Sequence, residues 1–334
     1  MDAVRRGTMA AARLHQNFNS KRTIDIYGGN IDIFSTIHKM DLPLLLRPLQ
    51  GLLGVYISSP TPGILVTTQR AMSVQRFTAA HELGHFSLKH QPSLDDEASI
   101  LRRMPPPFQV PPPSDFQEIE ADSFAVEFMM PRWLIHWHAT RQGWTTKDFH
   151  DPSIVYQLSL RLGTSYEATC WTLLRNSWLS QTAVRVVLNT KPRDIKIKLL
   201  ENHTPKDYRG DVWLLTERDA ATRIIGSQND LFVLSLKEHG GSGYLWNIDQ
   251  LEESGFAIVS DQVKAIDGES IGGPVVRRVT AESPGPNHGC LVLDECRPWA
   301  PTPSLSTFAI DIDLTGPEVD GFSRAERRTL LETA

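Results

Sequence analysis

The 334-residue chain sets 34 lysines and arginines against 39 aspartates and glutamates, a formal net charge of −5 that supplies no global basic field for nucleic acid or an anionic membrane. Its 40% hydrophobic and 22% charged residues are the balance of a soluble globular protein, and the length allows two or three domains. Cys170, Cys290 and Cys296 are too few, and odd in number, for a disulfide framework; residues 1–16 lack a signal-peptide core and no apolar run spans a bilayer, so the expected location is the cytoplasm.

Residues 1–131 read as the first domain. After a polar start come an apolar stretch at 52–57, a Ser-Pro-Thr-Pro-Gly turn at 59–63 and a short strand at 64–67. A helix is expected over 73–89. Six prolines between Pro105 and Pro113 exclude helix and central strand, so 104–113 reads as an extended surface connection. A second helix begins near Asp115 and stops at Pro131. Residues 132–200 read as a helical segment and linker, with Ile154, Leu158, Leu162, Ala168 and Leu173 at near-helical spacings around a Gly163-Thr164-Ser165 break. Over 201–316 the period becomes two: Phe232, Leu234 and Leu236 alternate, as do Phe308, Ile310, Ile312 and Leu314, which predicts an antiparallel sandwich. Residues 317–334 read as a tail with a short helix opened by Ser323 and Glu326.

The chemistry lies in His81-Glu82-Leu83-Gly84-His85. On a helix, residues four apart leave the same face one turn apart, so His81 and His85 can share one ion, for which Zn²⁺ is the expected identity. Glu82 then lies beside the open coordination position, where it can take a proton from water acidified by the metal. Ala79, Leu83 and Phe86 give the helix an apolar side roughly opposite. A third protein ligand is needed, and Glu118 is the best candidate; Asp122, four residues on and on the same face, can orient a histidine through its free ring nitrogen. Glu120 points about two hundred degrees away and its loss is expected to do little. His90, five beyond His85, reads as a surface residue.

Together, Arg76-Phe-Thr-Ala-Ala-His-Glu-Leu-Gly-His85, then Glu118, Ala121, Asp122, Phe124 and Ala125, then Met130-Pro131, resemble the ImmA/IrrE family of metallopeptidases. The family commonly has Asn where this chain has Asp122. The resemblance implies a single-zinc endopeptidase with a gluzincin-like site and a dedicated protein target, often a helix-turn-helix transcriptional repressor whose cleavage releases stress or mobile-element genes. The helices around 154–173 resemble the helix-turn-helix-like region that follows the peptidase domain there. Arg161 and Arg175 are the only cations in 152–180, too few to follow a phosphate track, so packing helices are the better reading.

A second resemblance, to chagasin-like inhibitors of papain-type cysteine peptidases, rests on Asp211-Val-Trp-Leu-Leu-Thr-Glu-Arg-Asp219, Ser242-Gly243-Tyr244-Leu245-Trp246, Gly272-Gly273 and Cys296-Arg297-Pro298-Trp299. It implies an immunoglobulin-like sandwich with three loops at one end. The family's Asn-Pro-Thr-Thr before Gly-Tyr is replaced here by His239-Gly-Gly-Ser242, without the wedge's proline. The expected fold is therefore α+β, a gluzincin-like metallopeptidase domain and helical segment followed by an all-β chagasin-like sandwich. The expected function is zinc-dependent, site-specific cleavage of a protein target, a repressor encoded nearby, with the sandwich recognising a partner. Two alternatives remain, a bifunctional protein whose sandwich inhibits a papain-like peptidase and a metal-sensing DNA-binding regulator.

Overall fold

Alternating burial in short apolar segments builds the first sheet. The computed structural model describes residues 2–91, 94–96, 116–266 and 272–333, and the proline-rich connection expected at 104–113 lies outside them. Three helices, α1 (Asp2–Asn17), α2 (Ser20–Tyr27) and α3 (Ile33–Lys39), precede β1 (Leu44–Arg47), β2 (Leu52–Ile57) and β3 (Gly63–Thr67). In β1, Leu44 and Leu46 are buried and Leu45 is exposed, the period of a strand with one face on a core. Helix α4 (Met72–Leu88) follows, then β4 (Leu94–Asp96) and α5 (Phe116–Met129). β1 and β3 are parallel, while β2 runs antiparallel to both β3 and β4.

α5 ends where expected, and Pro131 becomes the N-cap of α6 (Arg132–Gln142). The helical segment continues with α7 (Pro152–Leu162), α8 (Tyr166–Arg175), α9 (Gln181–Asn189) and α10 (Pro192–Leu200). Capping explains these boundaries. Asp151 accepts from the Ser153 amide at 2.8 Å, Gly163 ends α7 at φ 68°, and the Ser165 hydroxyl accepts from the Ala168 amide at 3.1 Å to start α8.

The sandwich comprises β5 (Val212–Leu215), β6 (Arg223–Ile225), β7 (Leu231–Glu238), β8 (Leu245–Trp246), the short helix α11 (Asp249–Glu253), β9 (Ala257–Ala265), β10 (Val275–Glu282), β11 (His288–Cys296) and β12 (Ser306–Asp313). One sheet has the order β5-β7-β10-β9 and the other β6-β12-β11-β8. Phe308, Ile310, Ile312 and Leu314 are all buried, as period two requires. Phe232, Leu234 and Leu236 are buried too, but so is Val233 between them, because this sheet is covered on both faces there. α7 meets its edge directly. The Gln157 amide donates to Val212 O and accepts from the Leu214 amide, so one side chain continues the ladder of β5. Arg161 forms a buried ion pair with Asp219 at 2.7 Å and donates to Leu214 O.

Residues after the sandwich return to the first sheet. β13 (Gly321–Phe322) pairs antiparallel with β1, giving the order β13-β1-β3-β2-β4, and α12 (Arg324–Thr333) packs near α3. Gln75 of α4 clamps this return by donating to Glu318 O and accepting from the Glu318 amide. The Ser323 hydroxyl accepts from the Glu326 amide, the expected start of the last helix. Among the described residues no helix is long and apolar enough to cross a membrane.

Candidate metal centre and loop platform

Two helices and one strand place the histidines. α4 crosses α5 closely because Gly84 lies between the two histidines; a Cβ there would stand 3.1 Å from the Ala121 Cα. On its other side α4 lies against β2, where a Cβ on Gly54 would come within 2.5 Å of Thr78 Cγ2 and 2.8 Å of Glu82 Oε1. His81, Glu82 and His85 are almost fully buried as a result.

His81 Nε2 lies 2.9 Å from His85 Nε2 and 3.2 Å from Glu118 Oε2, which is 3.5 Å from His85 Nε2. These three donor atoms, all within 4.8 Å of one another, are the one metal-capable cluster of this type among the described residues. The set fits a borderline cation such as Zn²⁺, since two imidazole nitrogens and a carboxylate oxygen converge from buried positions. Asp122 Oδ1 accepts from His81 Nδ1 at 2.8 Å, which leaves Nε2 for the cluster. Burial alone would raise the Glu118 carboxyl, but the His81 and His85 rings facing it hold it well below the usual carboxylate range. Glu118 is therefore an anion facing the two rings.

His90 is not on the surface. It is 7% exposed, with Nδ1 3.0 Å from His85 Nδ1 and Nε2 2.8 Å from Glu120 Oε2. Helical projection misplaces it because α4 ends first. Lys89 adopts φ 57°, the His90 amide bonds back to His85 O, and the chain folds under the helix end. Glu120, 4% exposed, stays out of the donor cluster but is not idle, for Arg6 Nη1 lies 2.8 Å from its second oxygen. A polar residue just past the helix end was the available signal, but its left-handed cap falls on a lysine rather than a glycine.

At the far end of the sandwich the three expected loops meet. The turn at Gly240–Ser242 is closed by the Ser242 amide on His239 O and the Gly243 amide on Gly240 O. Arg297 donates to Ser242 O at 3.3 Å, and its guanidinium lies 4.5 Å from the Tyr244 ring centre. Trp299 is 73% exposed and passes over Gly243, where a Cβ would meet its ring at 2.6 Å. Gly272 is exposed beside Gly241, and Gly273 follows it at partial burial. Trp246 differs from the rest. It is buried, donates from Nε1 to Lys237 O at 2.8 Å, and holds the loop from below.

Residues 47–174 match the Peptidase_M78 family, described as the IrrE N-terminal-like domain, and residues 227–312 match the chagasin family of peptidase inhibitors, I42. Among solved structures, the chain resembles the cysteine protease inhibitor EhICP2 from Entamoeba histolytica at 23% identity, over 32% of this chain and 99% of that one, with a TM-score of 0.28. It resembles amebosin at 22% identity, over 31% and 96%, with a TM-score of 0.26. It also resembles PbICP-C, whose structure is a complex with falcipain-2, at 16% identity, over 33% and 95%, with a TM-score of 0.22. No curated protein sequence matches the chain. One chain thus joins a segment that matches a peptidase family, the IrrE N-terminal-like domain, to a segment that matches the chagasin family of inhibitors.

Proposed function

We propose that the chain is a zinc-dependent endopeptidase that cleaves a dedicated protein target, for which the family resemblance suggests a helix-turn-helix repressor. The observation that carries this reading is the convergence of His81 Nε2, His85 Nε2 and Glu118 Oε2. These three would hold the ion, and Asp122 would orient His81. When bound, Zn²⁺ supplies Lewis acidity that polarises the scissile carbonyl and acidifies water. Glu82 accepts the proton of the attacking water at its carboxylate and delivers it to the leaving amine as the peptide bond breaks. Burial of Glu82 in the α4–β2 seam keeps its carboxylate away from bulk solvent.

The expected outcome is about one zinc per chain by elemental analysis. His81→Ala and His85→Ala lose it, and Glu82→Gln keeps it while losing peptide cleavage. Zinc-free wild-type protein after zinc-supplemented purification, or full cleavage by Glu82→Gln, would sink the reading.

For the sandwich, the proposed role is recognition of a partner or substrate protein through Tyr244, Arg297 and Trp299, since the family's Pro-Thr wedge is missing. A second reading, inhibition of a papain-like peptidase, draws support from the hydrogen bonds that close Gly240–Ser242, because a preformed loop loses little entropy on binding. The DNA-binding alternative is weakened by the ion pairs of Arg161 with Asp219 and Arg175 with Glu127, which engage both cations of 152–180.

A further inference from the structure

The second histidine of the cluster is backed by a chain of polar groups that leads to the N-terminal helix. His85 Nδ1 faces His90 Nδ1 at 3.0 Å, His90 Nε2 faces Glu120 Oε2 at 2.8 Å, and Glu120 Oε1 faces Arg6 Nη1 at 2.8 Å. The direction of these bonds follows from elementary chemistry. A carboxylate paired with an arginine only accepts, so the proton between Glu120 and His90 sits on His90 Nε2. A neutral imidazole carries one proton, so His90 Nδ1 is then an acceptor. The donor opposite it is His85 Nδ1–H, which leaves the lone pair of His85 Nε2 directed at His81 and Glu118.

We propose that His90 and Glu120 are positioning residues that fix the tautomer and ring orientation of His85, as Asp122 does for His81. The proposal rests on the metal-site reading above. His90 and Glu120 are both more than nine-tenths buried, so solvent does not compete for these bonds. α1 takes part as well. A Cβ on Gly7 would lie 2.1 Å from Glu120 O, so α1 rests on the backbone of Glu120 while the neighbouring Arg6 holds its carboxylate. A ligand orientation set this way is worth about 10–100-fold in metal affinity.

The test measures Zn²⁺ affinity of the full chain by competition with a chromophoric chelator, beside thermal melting of the metal-free protein. His90→Ala and Glu120→Ala are expected to weaken Zn²⁺ binding by about 10–100-fold. His90→Asn places an amide oxygen near the lost Nδ1, so it is expected to bind within about threefold of wild type although it forfeits the Glu120 contact as His90→Ala does. With Co²⁺ in place of Zn²⁺, the visible bands should shift in His90→Ala and return in His90→Asn. Wild-type affinity in both alanine variants, while His81→Ala abolishes binding, would overturn this proposal and leave the metal site standing. Equal weakening in His90→Ala and His90→Asn, in step with their melting temperatures, would make the role merely structural and overturn it too. Failure of the wild type to bind Zn²⁺ would defeat both.

Discussion

Glu118 and Asp122 sit one turn apart on α5, yet the cluster uses them differently. Glu118 offers an oxygen to the space between two Nε2 atoms, while Asp122 reaches the far nitrogen of His81. Removing the first deletes a donor atom; removing the second only loosens a ring. Glu118→Ala is therefore expected to lose zinc on dialysis, and Asp122→Ala to retain it with affinity lowered about 10–100-fold. Metal content after exhaustive dialysis separates the two, and full zinc retention by Glu118→Ala would contradict the donor role. Spacing made this pair legible, since four residues on a helix return to one face. Spacing failed at His90, because Lys89 leaves the helix in a left-handed conformation and the next side chain no longer obeys a rotation of about 100° per residue.

The seam between α1 and α5 was the element least visible in the sequence. α1 buries Ala3, Gly7, Ala11 and Leu14, a stripe of mostly small residues with little apolar weight in any periodicity count. Small side chains suit close approach of two backbones, so the helix reads as polar although it is packed. The sandwich strands, by contrast, carry large residues at period two and were plain. His15 marks the price of this seam: it stacks on Phe128 at 4.8 Å and lies near Trp133, and burial pushes its imidazole down from 6.5 to about 4. The folded state then binds fewer protons than the unfolded state between those values, so stability is full above pH 6.5 and falls as pH drops toward 4. His138, buried and pushed down to about 3, adds to the same trend. Urea unfolding at pH 7.5 and pH 5, roughly bracketing the upper limb, should show a smaller loss in His15→Phe than in wild type. An identical loss would mean that His15 is not held neutral.

At the scale of the molecule, the sandwich is gripped at one end and open at the other. Asp230, where β7 begins, accepts from the amide of Asp211, which in turn accepts from the Tyr156 hydroxyl of α7, whereas β7 ends at Glu238 beneath the turn that carries Tyr244, some eight residues away. At a strand rise of about 3.3 Å per residue the loop platform stands roughly 25 Å along the sheet from that junction. A protein bound there would be held at a fixed offset from the peptidase segment. Trp299→Ala and Arg297→Ala are expected to slow cleavage of the natural target at least about tenfold, as loss of an exposed anchor does, while zinc content stays unchanged. The chain carrying Glu82→Gln should leave papain active. Nanomolar inhibition of papain by it would favour the inhibitor reading instead. The returning strand β13 has a different consequence, one of timing. β1 and β3 leave the ribosome early, but their sheet gains its last strand only after some 250 further residues have been made, roughly 10–50 s later at 5–20 residues per second. Until then the Leu45–Leu46 edge lacks its pairing partner, and Gln75 lacks the backbone that it clamps. The segment of a nascent chain that matches the peptidase family is thus completed only once the chagasin-like sandwich has been built.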